Sequence, residues 1–295
     1  MLGLNALRRR ILGPGRGEPV TLREIRDLRR TQVEALSRAR AEPVALPDGT
    51  LLCRVLGRYK MRVSALDREF SPHVALDGFW EIWLTRLFAR RVVRGAVCVD
   101  VGAQAGYFTL LMADLAGAEG RVHAVEPLPS NVALLTANVA VNGLSPRVSV
   151  HGVALGNEAD GRIALRPAYP GSMNAARVPD GTPDAPRVAT TTLDRLLGDL
   201  PRVDVVKIDA EGAEHAILEG GEALLARHRP LLVAEFNAAR PGDARAMLER
   251  LARLYPAFAT LEPDGTLRPA SVEALLGQRV GLDHLVVALP ETRRV

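Results

Sequence analysis

The sequence predicts an α/β fold in which helices cover both faces of a mostly parallel sheet, and three observations lead to this. Short runs of Val, Ile and Leu alternate with amphipathic stretches from Val97 onward, as strands and helices do in a doubly wound sheet. The run Val203–Ile208 is apolar almost throughout, which is typical of a strand buried on both faces. Glycines follow the first run where a strand would turn into a helix. The predicted fold is therefore Rossmann-like, with an N-terminal helical and hairpin extension.

The composition fits a globular protein and argues against two other classes. Hydrophobic residues make up 47% of the 295 residues and charged residues 24%, which excludes a disordered chain. The net charge is +4, and because the only lysines are Lys60 and Lys207, the basic residues are nearly all arginine. Their one dense cluster, between Arg8 and Arg40, is mixed with acidic residues, which is typical of a solvated helix. We therefore expect no nucleic-acid partner.

The cysteines and the apolar segments indicate the compartment. Cys53 and Cys98 suggest neither a disulfide framework nor a metal site, and Cys98 stands inside an apolar run. No apolar stretch reaches the roughly 18 residues that cross a membrane. Residues 1–12 lack the long apolar region of a secretory signal. These features predict a cytoplasmic protein without a membrane span.

Residues 1–42 are predicted to form a tail and one charged helix. Glycines and prolines favour a loose tail over residues 1–20. A helix over Thr21–Arg40 is indicated by the spacing of its apolar residues, which are Leu22, Ile25, Leu28, Val33 and Leu36. Because the polar face mixes both charge signs, we expect this helix to pack on the main domain or on a partner subunit rather than on a membrane. A homo-oligomer through the N-terminal helix would follow from the second case.

Residues 43–93 are predicted to form a hairpin and a helix that lead into the main domain. Apolar runs flank an Asp-Gly turn between Val44 and Val55, which favours a β-hairpin. The stretch Phe79–Val93 has its large apolar residues at helical spacing.

Residues 94–295 are predicted to form the Rossmann-like domain. We expect strands over Val97–Val101, Arg121–Glu126, Arg147–Gly152, Val203–Asp209, Pro230–Phe236 and Asp283–Leu289. Helices are expected over Tyr107–Ala116, Ser130–Val141, Ala213–Arg227 and Asp243–Leu254. The last strand follows a turn-rich stretch, so we expect it to pair antiparallel at the edge of the sheet. The segment Gly161–Asp194 is rich in Gly, Pro and Asp and contains extended runs at Arg162–Leu165 and Arg187–Thr191; we expect a flap over the site.

The first strand leads into a glycine loop, Asp100-Val101-Gly102-Ala103-Gln104-Ala105-Gly106. Glycines at such a turn let a ligand approach the backbone and leave amides free at the helix start. Because Gln104 replaces the middle glycine of the dinucleotide pattern, the loop suits a ligand without phosphates. Glu126 ends the second strand, where a carboxylate can accept hydrogen bonds from both ribose hydroxyls. The alternative for Glu126 is a capping acid before the next helix. Together the loop and Glu126 suggest S-adenosylmethionine.

A cluster of carboxylates follows the fourth strand. Asp209, Glu211 and Glu214 come directly after the apolar run, and Glu235 ends the next strand. Ligands bind outside the carboxyl ends of strands in open α/β sheets, so these acids are expected to face the cleft. Glu214 would lie in a first helical turn, where a negative charge is favourable in any case, so a structural and a functional role stay equally open for it.

These motifs together resemble the FkbM family of methyltransferases between Ala96 and Asn237. The resembling segments are Val99–Phe108, Glu126–Asn131, Val153–Gly156, Thr192–Asp194, Lys207–Glu214 and Ala234–Glu235. One departure is Gln104, where the family pattern commonly has Asn. The resemblance implies a class I S-adenosylmethionine-dependent fold and O-methylation of a hydroxyl on a small molecule or glycan.

The resemblance also implies which positions hold S-adenosylmethionine. They are Asp100, Gly102, Ala103, Gly106, Tyr107, Phe108, Glu126, Pro127, Asn131, Val153, Ala154 and Asp209.

Methyl transfer to an alcohol requires a group that removes the hydroxyl proton. Asp209 or Glu211 is expected to be this base, with Glu235 as a third catalytic carboxylate. The alternative is that Asp209 and Glu211 hold a divalent cation, which we favour less because few further oxygen ligands stand nearby. His151 is a less suitable base, and the other histidines form no ligand-spaced pair in the sequence, so no metal-binding residues are expected.

Two other functions remain open from the residues alone. One is an oxidoreductase with an NAD-type nucleoside cofactor, and the other is a non-catalytic protein that binds a carbohydrate or a partner on the same fold. Titration with S-adenosylmethionine and with NAD separates all three.

Overall fold

The computed structural model describes residues 18–239, 244–278 and 281–290. The predicted tail therefore lies mostly outside the described residues. Two short helices, α1 (Leu22–Asp27) and α2 (Arg30–Arg38), replace the single predicted helix. They are separated because Leu28 and Arg29 have extended backbone conformations, with ψ of 159° and 151°. The prediction of one continuous helix was wrong.

An antiparallel sheet follows, with strands β1 (Val44–Ala45), β2 (Thr50–Val55) and β3 (Tyr59–Ser64). The predicted hairpin is confirmed by the pairing of β1 with β2. β3 and helix α3 (Phe70–Leu76) were not predicted. Helix α4 (Ile82–Arg91) lies within the predicted Phe79–Val93. It begins later because Glu81 has a left-handed backbone, with φ of 34°.

The main sheet has eight strands in the order β14-β13-β15-β12-β11-β4-β5-β6. Its five parallel strands lie where they were predicted. The strands are β4 (Val97–Val101), β5 (Arg121–Val125), β6 (Val148–His151), β11 (Val205–Ile208), β12 (Leu231–Phe236), β13 (Phe258–Leu261), β14 (Leu267–Ala270) and β15 (His284–Ala288). The doubly wound α/β fold is confirmed.

The predicted edge position of the last strand was wrong. β15 is antiparallel, as expected, but it lies between β12 and β13. Strands β13 and β14 were not predicted, and they extend the sheet beyond β15. β13 is short, and its residues Phe258-Ala259-Thr260-Leu261 carry no strand-like alternation of apolar and polar side chains.

Helices pack on both faces of this sheet, where two large apolar clusters form. They are α5 (Tyr107–Ala116), α6 (Pro129–Val141), α7 (Leu193–Leu197), α8 (Glu214–Glu219), α9 (Glu222–His228), α10 (Ala244–Leu254) and α11 (Val272–Leu276). The predicted helix Ala213–Arg227 is interrupted at Gly220-Gly221. A Cβ at Gly220 would lie 2.1 Å from the Gly156 carbonyl oxygen, so close packing against another loop fixes a glycine there. In the part of the chain that the structure describes, no helix is long and apolar enough to cross a membrane.

The predicted flap forms a small sheet of its own. Its strands are β7 (Ala154–Leu155), β8 (Arg162–Pro167), β9 (Ala175–Val178) and β10 (Arg187–Thr191), in the order β7-β10-β8-β9. The two extended runs expected from the sequence are thus confirmed, and β9 is additional. The small sheet has its own apolar core of Ala154, Leu165 and Val188.

Candidate functional site

The glycine loop after β4 is shaped by close backbone contacts. Gly102 and Gly106 have φ of 72° and 96°, and Gln104 between them has φ of 50°. A Cβ at Gly102 would lie 1.7 Å from the Asp209 carbonyl oxygen. Any side chain there would therefore force the ends of β4 and β11 apart. The loop thus brings Gly102 against the backbone of Asp209.

Glu126 joins the glycine loop to the start of α6. Its carboxylate accepts hydrogen bonds from the backbone N–H of Gln104 and of Leu128, both at 2.9 Å, and from Asn131 Nδ2 at 3.2 Å. Glu126 is only 4% exposed, and burial raises its pKa to about 7 even though these hydrogen bonds oppose the rise. A carboxylate has about four acceptor positions. One of them, on Oε2, therefore stays open for a ligand hydroxyl.

A buried lysine links two of the predicted carboxylates. Lys207 Nζ lies 3.2 Å from Asp209 Oδ2 and 3.6 Å from Asp100 Oδ1, and 5.4 Å from the centre of the Phe108 ring. Burial alone would lower the pKa of Lys207, but Asp209, Asp100 and Glu81 together raise it. Lys207 therefore stays charged and neutralises the acids around it. The positive charge of Lys207 also lowers the pKa of Glu126, against the larger effect of burial.

Asp100 is oriented from its other side. Its Oδ2 accepts a 2.6 Å hydrogen bond from Thr109 Oγ1, whereas its buried Oδ1 has no hydrogen-bond partner among the described residues. Burial raises the pKa of Asp100. This oxygen is compensated by the 3.6 Å ion pair with Lys207 rather than by a hydrogen bond, so a ligand donor at hydrogen-bond distance would stabilise it further.

Glu81 joins this group of charges from the N-terminal extension. Burial raises its pKa to about 8, with a further rise from the neighbouring Asp209 that Lys207 opposes. The start of α4 is fixed beside α5 by a 3.0 Å hydrogen bond between Thr85 Oγ1 and the Tyr107 hydroxyl. A non-glycine residue in a left-handed conformation is uncommon and often occurs at functional sites. The sequence analysis did not identify Glu81.

The loop after Asp209 is held by Glu214. The Glu214 carboxylate accepts hydrogen bonds from Ala210 N at 2.8 Å and from Gly212 N at 3.0 Å. This explains the buried position of Glu214 by a structural role. Glu211 is exposed, with φ of 53°, and Glu235 is half-buried at the end of β12.

The flap contacts the same site. Gln104 Nε2 donates to Asn174 Oδ1 at 3.2 Å, and Asn174 Nδ2 donates to Glu69 Oε2 at 2.8 Å. Asn131 Nδ2 donates to the Met173 carbonyl oxygen at 2.7 Å. Residues 173 and 174 therefore connect the glycine loop, α6 and the N-terminal extension.

Most of the predicted site residues lie together, and Ala154 lies apart from them. Most of them lie at the carboxyl edge of the parallel strands; in this group are Asp100, Gly102, Ala103, Gly106, Tyr107, Phe108, Glu126, Asn131 and Asp209. Pro127 is half-buried beside them, and Val153 follows β6. Ala154 instead packs in the core of the small sheet.

His123 and His151, which show no ligand spacing in the sequence, are brought together by strand register. His123 Nδ1 and His151 Nε2 are 3.2 Å apart. In the described ranges, no group of three or more His, Cys, Asp or Glu residues is arranged to hold a metal ion.

Two members of the charge cluster were missed by the sequence analysis. A lysine inside an otherwise apolar strand is a visible signal for Lys207, because a buried ammonium requires partners. Glu81 lies before the first motif, and only tertiary packing brings it to the site.

Comparison with known protein families identifies the family to which this chain belongs. The model of the methyltransferase FkbM domain matches residues 100–255. Comparison with curated proteins gives no match.

The chain is also similar to several solved structures. The chain is similar to the methyltransferase FkbM from Methylobacillus flagellatus KT, with 17% identity over 75% of this chain and 56% of that chain and a TM-score of 0.43. A SAM-dependent O-methyltransferase from Thermotoga maritima has 14% identity over 72% of this chain and 65% of its own, with a TM-score of 0.39. A SAM-dependent methyltransferase from Aquifex aeolicus has 16% identity over 76% of this chain and 93% of its own, with a TM-score of 0.39. This chain thus covers less than two thirds of the first two.

Proposed function

The chain belongs to the FkbM methyltransferase family, whose cofactor is S-adenosylmethionine, and on this basis we propose that it methylates a hydroxyl oxygen of a small molecule or glycan. The observation that carries the proposal is the cluster of Asp100, Glu126 and Asp209 around Lys207 at the carboxyl edge of the sheet. Ligands bind at this edge in open α/β sheets. The NAD-type alternative is not favoured, since the family is one of methyltransferases.

The residues present suit S-adenosylmethionine. Gly102 and Gly106 leave the backbone of the loop accessible, and Glu126 has one open acceptor position for a ribose hydroxyl. Asp100 Oδ1 has an ion pair with Lys207 at 3.6 Å and no shorter hydrogen bond among the described residues, so it can accept from a ligand. A ligand that carries hydroxyls and an ammonium group supplies such donors. S-adenosylmethionine brings an electrophilic methyl group on a positively charged sulfur.

We assign the proton transfer to Asp209. As the new carbon–oxygen bond forms and the carbon–sulfur bond breaks, the hydroxyl proton passes to a carboxylate. Asp209 is one-third exposed, so it is accessible to an acceptor while Lys207 fixes its orientation at 3.2 Å. Glu211 and Glu235 lie at the same carboxyl edge of the sheet and are the other candidates for this role. Positioning of the acceptor supplies much of the remaining acceleration.

Transfer of a labelled methyl group from S-adenosylmethionine to a panel of hydroxylated sugars and small molecules tests the proposal. With an accepted substrate in hand, Asp209→Asn should lower turnover by roughly 10²–10⁴ while cofactor affinity changes little. The matched control is Asp199→Asn, because Asp199 is exposed and lies before β11 rather than after it. Full activity in both Asp209→Asn and Glu211→Gln would remove these residues from the chemistry.

A metal-assisted reaction gives a different result. If Asp209 and Glu211 hold a divalent cation instead, chelation should abolish turnover of the wild type, and Mg²⁺ or Mn²⁺ should restore it. Transfer to nitrogen or carbon acceptors alone would contradict the assignment of a hydroxyl oxygen.

A further inference from the structure

A cavity lined by arginines lies apart from the charge cluster and shares no lining residue with it. It has a volume of about 350 Å³ and lies between α2, α4 and the turn that joins β13 to β14. Its charged and aromatic lining consists of Arg30, Trp83, Arg86, Arg90, Arg91 and Asp264. Four guanidinium groups thus surround a small cavity with a single carboxylate. We call it the arginine pocket.

The positive charge of the arginine pocket is poorly compensated. Arg30 pairs with Glu34 at 2.6 Å, and Asp264 accepts hydrogen bonds from Thr266. Arg86, Arg90 and Arg91 form no ion pair within the described ranges. The Arg86 Nε is buried and has no hydrogen-bond partner there. A buried donor without an acceptor costs free energy unless a ligand supplies the acceptor.

The electrostatics of the arginine pocket also favour a bound anion. Burial, together with the nearby Arg90 and Arg30, lowers the pKa of Arg86. Like charges that crowd around a cavity repel one another, and an anion in the cavity would reverse this effect. Arg30 also lies over the Trp83 ring, 5.7 Å from its centre, so one wall of the pocket is held rigid.

The arginine pocket shares an edge of the sheet with the charge cluster. β13 is antiparallel to β15, which is antiparallel to β12, so the end of β13 lies at the carboxyl edge. The turn at Asp264 to Thr266 follows that end. Helix α4 begins beside Glu81 at the site and contributes Trp83, Arg86 and Arg90 to the pocket.

We propose that the arginine pocket binds a phosphate group, supplied either by a free inorganic anion or by a phosphorylated small molecule. Guanidinium groups match phosphate oxygens with paired hydrogen bonds. The volume of about 350 Å³ has room for a phosphate group or a small phosphate ester. This binding site is separate from the proposed methyl transfer and does not depend on it.

Isothermal titration at constant ionic strength tests the proposal, with inorganic pyrophosphate, glucose 6-phosphate and glucose as probes. We expect both phosphates to bind and glucose not to bind. Tighter binding of glucose 6-phosphate identifies an ester as the ligand type, and tighter binding of pyrophosphate identifies an inorganic anion. Absence of binding by both phosphates would overturn the proposal.

Variants locate the binding in the pocket. Arg86→Gln and Arg90→Gln should each weaken phosphate binding roughly tenfold, as loss of a charged hydrogen bond does. The control is Arg54→Gln, because Arg54 is an exposed arginine on β2 outside the pocket. An equal loss in Arg54→Gln, or unchanged binding in the two pocket variants, would show binding by surface charge and overturn the proposal.

Thermal unfolding separates ligand binding from a structural role. Without phosphate, Arg86→Gln should unfold at the same or a higher temperature than the wild type, because repulsion is relieved. With pyrophosphate, the midpoint of the wild type should rise more than that of the variant. S-adenosylmethionine affinity should be the same in both. If Arg86→Gln lowers the midpoint without phosphate and leaves its rise with phosphate intact, Arg86 is structural and the assignment is wrong.

Discussion

At the scale of single residues, Lys207 makes the density of carboxylates at the site possible. Clustered like charges are costly, and a buried carboxylate without a counter-charge is more so. Lys207 lies between Asp100 and Asp209 and forms an ion pair with each carboxylate. A single ammonium therefore lets a buried strand end in acids without unfolding the sheet.

Replacement of Lys207 should destabilise the protein. Lys207→Met leaves the buried Asp100 without its counter-charge, so we expect a loss of about 3–5 kcal/mol in the free energy of unfolding, measured by denaturant titration. The matched control is Lys60→Met, the only other lysine of the chain, which is exposed on β3. The double variant Asp100→Asn, Lys207→Met should recover part of the loss. An equal effect of both single replacements would contradict the role of Lys207.

Glu126 should govern cofactor affinity. Glu126→Ala removes an acceptor for a ribose hydroxyl, and we expect S-adenosylmethionine to bind about 2 kcal/mol more weakly, as measured by calorimetry. Because burial raises the pKa of Glu126 to about 7, the wild type should also bind more tightly as the pH rises from 6 to 8. Glu119→Ala, at an exposed site, is the control. Unchanged affinity in a folded Glu126→Ala would remove Glu126 from the ribose site.

Glu81 should make stability depend on pH. Its carboxyl has a pKa of about 8 in the folded protein against an ordinary value of 4.5, so between these values the folded state binds the proton more tightly than the unfolded state. Stability should therefore be greatest near pH 4.5 and fall as the pH rises from there to about 8, by up to roughly 5 kcal/mol at about 1.4 kcal/mol per pH unit. Glu126 adds a loss of the same sign, which ends near pH 7. In Glu81→Gln the fall above pH 7 should disappear, and a curve parallel to that of the wild type would refute this.

At the scale of elements, the flap is held to the site by hydrogen bonds and by the buried side chain of Met173. Asn174 bonds to both Gln104 and Glu69, and the Met173 carbonyl accepts from Asn131. The small sheet has its own three-residue core. Met173 anchors the flap in the main apolar cluster, whereas the side-chain hydrogen bonds of Asn174 set how readily the less buried part of the flap moves.

Asn174→Ala should loosen the flap. Loss of the side-chain hydrogen bonds to Gln104 and Glu69 should speed hydrogen exchange in residues 162–178 and accelerate release of S-adenosylmethionine, while the unfolding midpoint of the main domain stays within a degree or two. Asn157→Ala is the control, because Asn157 bonds to Glu219 outside the flap. Exchange rates equal to those of the wild type would show that the flap is held by other contacts.

The elements that periodicity encodes were predictable, and those that depend on packing were not. Helix α5 matches its predicted bounds because Tyr107–Ala116 is bordered by glycines. The break at Gly220-Gly221 was missed because a helix tolerates glycine unless another loop approaches, as Gly156 does here. The place of β15 was missed because it depends on β13, a strand without a clear pattern.

The part of the site that could be predicted depends on strand topology alone. Asp100, Glu126 and Asp209 follow strands, and the carboxyl ends of parallel strands meet at one edge whatever the rest of the chain does. Glu81 lies there only because α4 packs beside α5, and the contact between His123 and His151 depends on strand register. Neither of these two contacts can be predicted from the neighbouring residues in the sequence.

At the scale of the whole molecule, the N-terminal helices and the main sheet share one core. Val20, Ile25 and Val33 are fully buried in the same apolar cluster as Leu111 of α5. The apolar stripe predicted from the sequence is thus covered, at these positions, by the chain itself. A contact between subunits through the N-terminal helix stays a prediction and would have to use the exposed faces of α1 and α2.

Truncation of Val33 separates these two uses of the stripe. Val33→Ala removes two buried methyl groups, so we expect a loss of about 2 kcal/mol in the free energy of unfolding. Thr31→Ala, at an exposed position on the same helix, should change it by less than about 0.5 kcal/mol. Because Val33 packs within its own chain, light scattering should give the same oligomeric state for both variants and the wild type. Dissociation of an oligomer by Val33→Ala alone, at unchanged stability, would instead place the stripe in a subunit interface.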